Sequence, residues 1–117
     1  MARVEIPVTT ISRLSVAPPS QVDGDATNDH YIANNDGRIF VEIVSTDAAT
    51  QSVIFETPYT LDDLSLEDQP VYIGPSTTRY AGSWPTYTFN QTGAGDENKL
   101  FLNPSVSTTL KFRAYKL

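Results

Sequence analysis

An all-β fold is predicted for this chain: a single antiparallel β-sandwich of jelly-roll or Greek-key type, with eight or nine short strands. Three observations predict it. Apolar and polar residues alternate at a period of two in several short runs, the pattern of strands with one face on a core. Gly, Pro, Asn and Asp recur between those runs, as turns do between the strands of a sandwich. Helical periodicity is nearly missing from the 117 residues, a length that fits one domain over 1–117.

The elements follow in order. Residues 3–8, RVEIPV, form the first candidate strand. Pro7 has no backbone N–H to give a neighbour, so this strand belongs at an edge or a bulge. Residues 15–29, SVAPPSQVDGDATND, hold two prolines, one glycine and three aspartates. A structureless stretch longer than about 12–15 residues is uncommon unless it carries function or is disordered. Two readings stay open: an arm, with residues 1–29 contacting a partner, or a long loop capping one end of the sandwich.

A strand over 30–33 leads into the polar turn Asn34-Asn35-Asp36-Gly37. In 38–44, Ile39, Val41 and Ile43 share one face, while Arg38, Phe40, Glu42 and Val44 share the other. Residues 51–57 repeat the pattern, with Val53 and Phe55 opposite Ser52, Ile54 and Glu56. Joined by STDAAT, the two runs read as a hairpin. In 60–69 the spacing of Leu61, Leu64 and Leu66 mixes both periods, which predicts a loop or a short extended piece. Shorter strands are predicted over 71–73, 78–82, 86–89 and 99–103. The clearest strand is the last, where Leu110, Phe112 and Ala114 alternate with Lys111, Arg113 and Tyr115. Ile39, Val41, Ile43, Leu110 and Phe112 are the expected core.

Composition narrows the function. Eight basic residues against fourteen acidic ones give a net charge of −6. Such a surface repels phosphate backbones and anionic lipid, so neither nucleic acid nor membrane is an expected partner. The chain has no cysteine, which removes thiol nucleophiles, zinc–thiolate sites and disulfides. The opening MARVEIPVTTIS lacks an apolar signal-peptide stretch, so export by that route is not expected.

Candidate chemistry is sparse. His30 is the one imidazole, and no G-x-S-x-G elbow accompanies it. A packing or hydrogen-bonding role is expected for it. Asp23, Asp25 and Asp29 lie close together, but the oxygen-ligand spacing of an EF-hand is missing, so a capped turn is expected. TGAGDEN (92–98) lacks the lysine of a P-loop and reads as a loop tip. Acids at Glu56, Asp62, Asp63, Glu67 and Asp68 read as a solvated face. No catalytic residue, metal site or cofactor is expected. The aromatics are denser: Tyr59, Tyr72, Tyr80, Trp84 and Tyr87 fall within 59–87. Aromatic rings with polar handles anchor interfaces or stack on sugars. Trp84 has two readings, a core plug with Phe89 or an interface residue.

Three segments carry a resemblance: NNDGRIFVEIVSTDAATQSVIFET, VYIGPSTTRYAGSWPTYTFNQ and VSTTLKFRAYKL. Their layout, an Asn-Asp-Gly-Arg turn, paired strands, a T-R strand, a bend with Pro and a closing T-L-K-F-R-A strand, resembles small β-sandwich virion proteins of tailed bacteriophages, especially those of actinobacteria. It covers roughly residues 30–117. The resemblance implies a capsid decoration (head accessory) or other minor virion protein and no enzyme. It implies the major capsid protein as partner and the virion surface as location, with host cytoplasm during assembly. A homotrimer is the form that would present several contacts at once. The expected partner-contact residues are Arg79, Tyr80, Trp84, Tyr87 and Tyr59. A carbohydrate-binding sandwich and a head–tail connector or tail protein are the alternatives.

Overall fold

The computed structural model describes residues 2–117. Twelve strands form among them: β1 (Val4–Glu5), β2 (Val8–Thr10), β3 (Val22–Asp23), β4 (His30–Ile32), β5 (Ile39–Ser45), β6 (Gln51–Phe55), β7 (Thr60–Leu61), β8 (Leu64–Ser65), β9 (Gln69–Ile73), β10 (Thr78–Gly82), β11 (Leu100–Pro104) and β12 (Leu110–Lys116). The helical content is one turn, α1 (Thr86–Phe89). The first sheet has the order β1-β4-β11-β6-β9. The second has the order β10-β5-β12-β2, with β3 also pairing β12, and β7 and β8 form a separate small hairpin. The fold is therefore the expected all-β sandwich, with more and shorter strands than the eight or nine predicted.

Alternation places the core. Ile39, Val41 and Ile43 of β5 and Leu110, Phe112 and Ala114 of β12 meet Val53 and Phe55 of β6 and Leu100 and Leu102 of β11 between the sheets, all of them buried. A period of two puts every second side chain inward, so these runs of five to seven residues suffice to line a sandwich.

Three expectations need correction. The sheets are mixed rather than purely antiparallel, because β1 runs parallel to β4 and β2 parallel to β12. Residues 38–44 and 51–57 do not form a hairpin. β5 pairs β10 and β12, whereas β6 pairs β9 and β11. The linker between them crosses from one sheet to the other, so each run faces the same core from its own side. Residues 86–89 are helical, since the Thr88, Phe89 and Asn90 N–H groups turn back onto the Pro85 and Thr86 carbonyls. The long 15–29 segment, left open between an arm and a capping loop, contributes a strand to the second sheet. Its β3 pairs β12, and Gly24 donates to the Leu110 carbonyl at 2.7 Å.

The N-terminal segment closes the open margin of the sandwich. It pairs with the first sheet as β1, turns at Pro7 and pairs with the second sheet as β2. Ile6, between them, is fully buried. Pro7 thus sits where no ladder bond is needed, consistent with its edge placement.

Strand directions sort the connections onto two ends. One end gathers the 24–29, 46–50, 74–77 and 105–109 loops. The other gathers 33–38, the 56–68 excursion with β7 and β8, the 83–99 connection with α1, and the C-terminus.

Candidate functional site

Two surface regions bring exposed aromatic residues together, while Tyr72 stands apart on β9 of the first sheet. The first is the outer face of the second sheet. Register aligns Tyr115 with Phe40, and Arg113 with Glu42 and Tyr80, across β12, β5 and β10. The Phe40 and Tyr115 rings stack with centroids 5.4 Å apart. The Glu42 carboxylate is buried and accepts from Arg113 Nη1 at 2.9 Å and from Tyr80 Oη at 2.9 Å. Arg113 Nε also donates to the Pro19 carbonyl at 2.8 Å, which ties the 11–21 segment to this face. A buried carboxylate between a guanidinium and a phenol is satisfied by charge-assisted bonds. The same bond holds the Tyr80 phenol above its ordinary pKa, because ionisation would set it against Glu42. Tyr80 nevertheless remains 64% exposed. A shallow hollow lined by Ile11, Phe40, Glu42, Tyr80 and Tyr115 lies on this face.

Gly82 allows the neighbouring edge to lie close. A Cβ there would sit 2.6 Å from the Ile39 carbonyl and 2.8 Å from Phe40 Cα, and its φ is +144°. A side chain would push β10 away from β5.

The second region is the end that carries α1. Tyr59 and Tyr87 meet edge to face with centroids 5.7 Å apart. A cleft of about 280 Å³ opens beside them, lined by Pro58, Tyr59, Thr60, Tyr87, Asn90 and Thr92. Asn35 braces this end from inside. Its Nδ2 donates to the Trp84 carbonyl at 3.1 Å and to Asn90 Oδ1 at 2.8 Å, and Asn90 Nδ2 returns a bond to the Asn35 carbonyl at 3.0 Å.

The structure divides the five expected contact residues. Tyr59 and Tyr87 come together at one end. Arg79 and Tyr80 are exposed on β10 but point to opposite sides, since Arg79 is in register with the inward Ile43 and Tyr80 with the outward Glu42. Trp84 is corrected. It is 4% exposed and stacks on Phe55 at 4.4 Å, so of its two readings the structure takes the core plug with Phe89. Phe40, Tyr115, Glu42 and Arg113 were not singled out from sequence. Alternation put them outward, but the register that joins them comes from pairing strands seventy residues apart, which no local pattern encodes.

His30 has both ring nitrogens engaged. Nε2 accepts from the Asp25 N–H at 2.9 Å, which leaves Nδ1 to donate to the Val4 carbonyl at 3.1 Å. The ring is fully buried against Phe112, and burial lowers its pKa. Asp25 accepts from the Thr27 and Asn28 N–H groups and from Asn28 Nδ2, which makes the 25–28 stretch a capped turn. Among the described residues no group of three or more His, Asp or Glu is placed to hold a metal ion.

On the first sheet Arg3 donates to Asn103 Oδ1 and Glu56 Oε2 at 2.6 and 2.7 Å and lies 3.9 Å from the Phe101 ring centroid. That network pins the N-terminal segment. Among the described residues no helix is long and apolar enough to cross a membrane. Comparison with protein-family models, with curated proteins and with solved structures gave no match.

Proposed function

We propose that this chain is a structural binding protein of a tailed-phage particle, a decoration protein that docks on the assembled capsid lattice. The observation that carries this reading is the outer face of the second sheet. Its Phe40–Tyr115 stack and its Arg113–Glu42–Tyr80 network are held in place within the free protein. A partner meets side chains already ordered, so docking costs little conformational entropy. Exposed Tyr80 supplies an aromatic anchor on that face, of the kind that dominates interfaces, while exposed Arg79 stands on the other side of β10. The choice of a phage capsid rests on the sequence resemblance.

A protein that binds only the assembled lattice stabilises that state by mass action, and several copies acting together strengthen a weak single contact. The test is sedimentation with undecorated capsids and with free capsid subunits. The wild type is expected to sediment with capsids and not to bind free subunits. Tyr80→Ala is expected to weaken capsid binding by about tenfold, and Arg79→Ala, on the other side of β10, to weaken it less. Equal binding to capsids and subunits contradicts the proposal, as does binding to neither. Binding to assembled tails in place of capsids assigns the connector or tail role instead.

A further inference from the structure

We infer that the cleft beside Tyr59 and Tyr87 is a binding site for one neutral sugar unit of a glycan. Four observations lead there. The first is the chemistry of the lining: Pro58, Tyr59, Thr60, Tyr87, Asn90 and Thr92 include no charged side chain, although the chain carries fourteen acids and eight basic residues. Two phenol rings, two hydroxyls and one carboxamide supply apolar faces beside hydrogen-bond donors and acceptors. A pyranose has that same character, with C–H groups on its faces and hydroxyls around its rim, and tyrosine suits surfaces that are apolar in the middle and wet at the edge.

The second observation is size. Drug-sized ligand pockets begin at roughly 300 Å³. At about 280 Å³ the cleft suits a single ring-sized unit, with the rest of a glycan outside.

The third is rigidity. Phe89 anchors α1 in the core, and Asn35 holds the Asn90 carboxamide through two bonds, while spare capacity remains on both its oxygen and its nitrogen. The Tyr59 carbonyl accepts from the Leu66 N–H at 3.3 Å, which ties that wall to the β7–β8 excursion. Both walls are set before a ligand arrives. Yet Tyr87 is 75% exposed, so its ring is open to stacking.

The fourth is the electrostatic setting. The hairpin that begins at Thr60 carries Asp62 and Asp63 in its turn. With no basic side chain in the lining and a net charge of −6 on the chain, the cleft offers sialic or uronic acids no counter-charge and leaves neutral sugars favoured. None of the cleft's lining residues belongs to the hollow on the outer face of the second sheet, so the two sites are independent.

The experiment titrates the full chain with cellotetraose, maltotetraose and N,N′,N″,N‴-tetraacetylchitotetraose, followed by two-dimensional NMR shifts and calorimetry. Sialyllactose is the charged control. At least one neutral tetrasaccharide is expected to bind, with shifts confined to 58–60, 87 and 90–92. Tyr87→Ala is expected to weaken it by about tenfold or more, whereas Tyr87→Phe retains the ring and most of the affinity. Tyr72→Ala removes an equally exposed tyrosine on β9 and is expected to leave binding unchanged. The inference is overturned if none of the three neutral sugars binds at about 10 mM, a threshold weaker than ordinary recognition. It is also overturned if Tyr87→Ala binds like wild type, if Tyr72→Ala loses as much, or if sialyllactose binds best.

Discussion

The one histidine of the chain shows how a buried residue with both ring nitrogens bonded controls stability. His30 fits only as the neutral Nδ1–H tautomer, because Nε2 must accept from Asp25. Adding a proton to Nε2 would set it against that N–H, and burial already lowers the ring's pKa from 6.5. The sign follows from linkage. Above 6.5 the folded and unfolded chains both carry it neutral, and it adds no pH dependence. Below 6.5 the unfolded chain takes up the proton first, so stability falls as pH drops towards the lowered folded value. Asp29, whose carboxyl is pushed up by burial, works in the opposite sense. Asp36 acts lower down: Lys116 holds its carboxyl at about 2, so its contribution is present above 3.8 and is lost as pH falls through about 2. Urea midpoints between about pH 7 and pH 5 are therefore expected to fall in the wild type, and to fall less in His30→Gln. Equal declines in both proteins would remove the histidine from this account.

Among the elements, the N-terminal strap has the largest consequence for its size. Two strands of two and three residues would be marginal alone, yet they seal both sheets because Ile6 enters the core between them. The Val4 and Ile6 N–H groups donate to the Asp29 and Tyr31 carbonyls at 2.9 Å each, and Arg3 fixes the outer side. Ile6→Ala is expected to cost about 2–5 kcal/mol, the range for a buried aliphatic truncated in a packed core. Val4→Ala, at an exposed position, should cost under about 1 kcal/mol. Equal small losses, read from denaturant midpoints, would show that the strap is not part of the core. Elements of this kind were unevenly legible in the sequence. Long alternating runs such as β5 and β12 show themselves, since one face must be apolar along the whole strand. The TYTF segment does not, because four residues are too few to separate a period of two from a single helical turn, and the bonds from Thr88 and Phe89 back to the Pro85 carbonyl leave no mark in the pattern. Partners were least legible. Nothing local says that β5 leaves β6 for β12, or that Asn35 of a polar turn reaches the Trp84 carbonyl and Asn90. Of the candidate site, the exposed tyrosines were visible in composition, while the outer-face network needed the register.

At the scale of the molecule, the sandwich keeps two kinds of surface apart. The outer face of the second sheet presents stacked rings and a satisfied charge network, and the end carrying α1 presents an uncharged aromatic cleft. In both, side chains are held by contacts within the chain, which suits the proposed docking on an assembly. The net charge of −6 makes copies repel at long range, so on the proposed reading contacts to the capsid lattice have to offset that repulsion. The most direct measurement is quantitative mass spectrometry of purified virions, comparing this chain with the major capsid protein. A lattice-bound decoration protein predicts a high copy number in fixed ratio to the capsid subunit, lost together with sedimentable capsid binding in Tyr80→Ala. Its absence from purified virions, or a copy number of only a few per particle, would contradict docking on the capsid lattice.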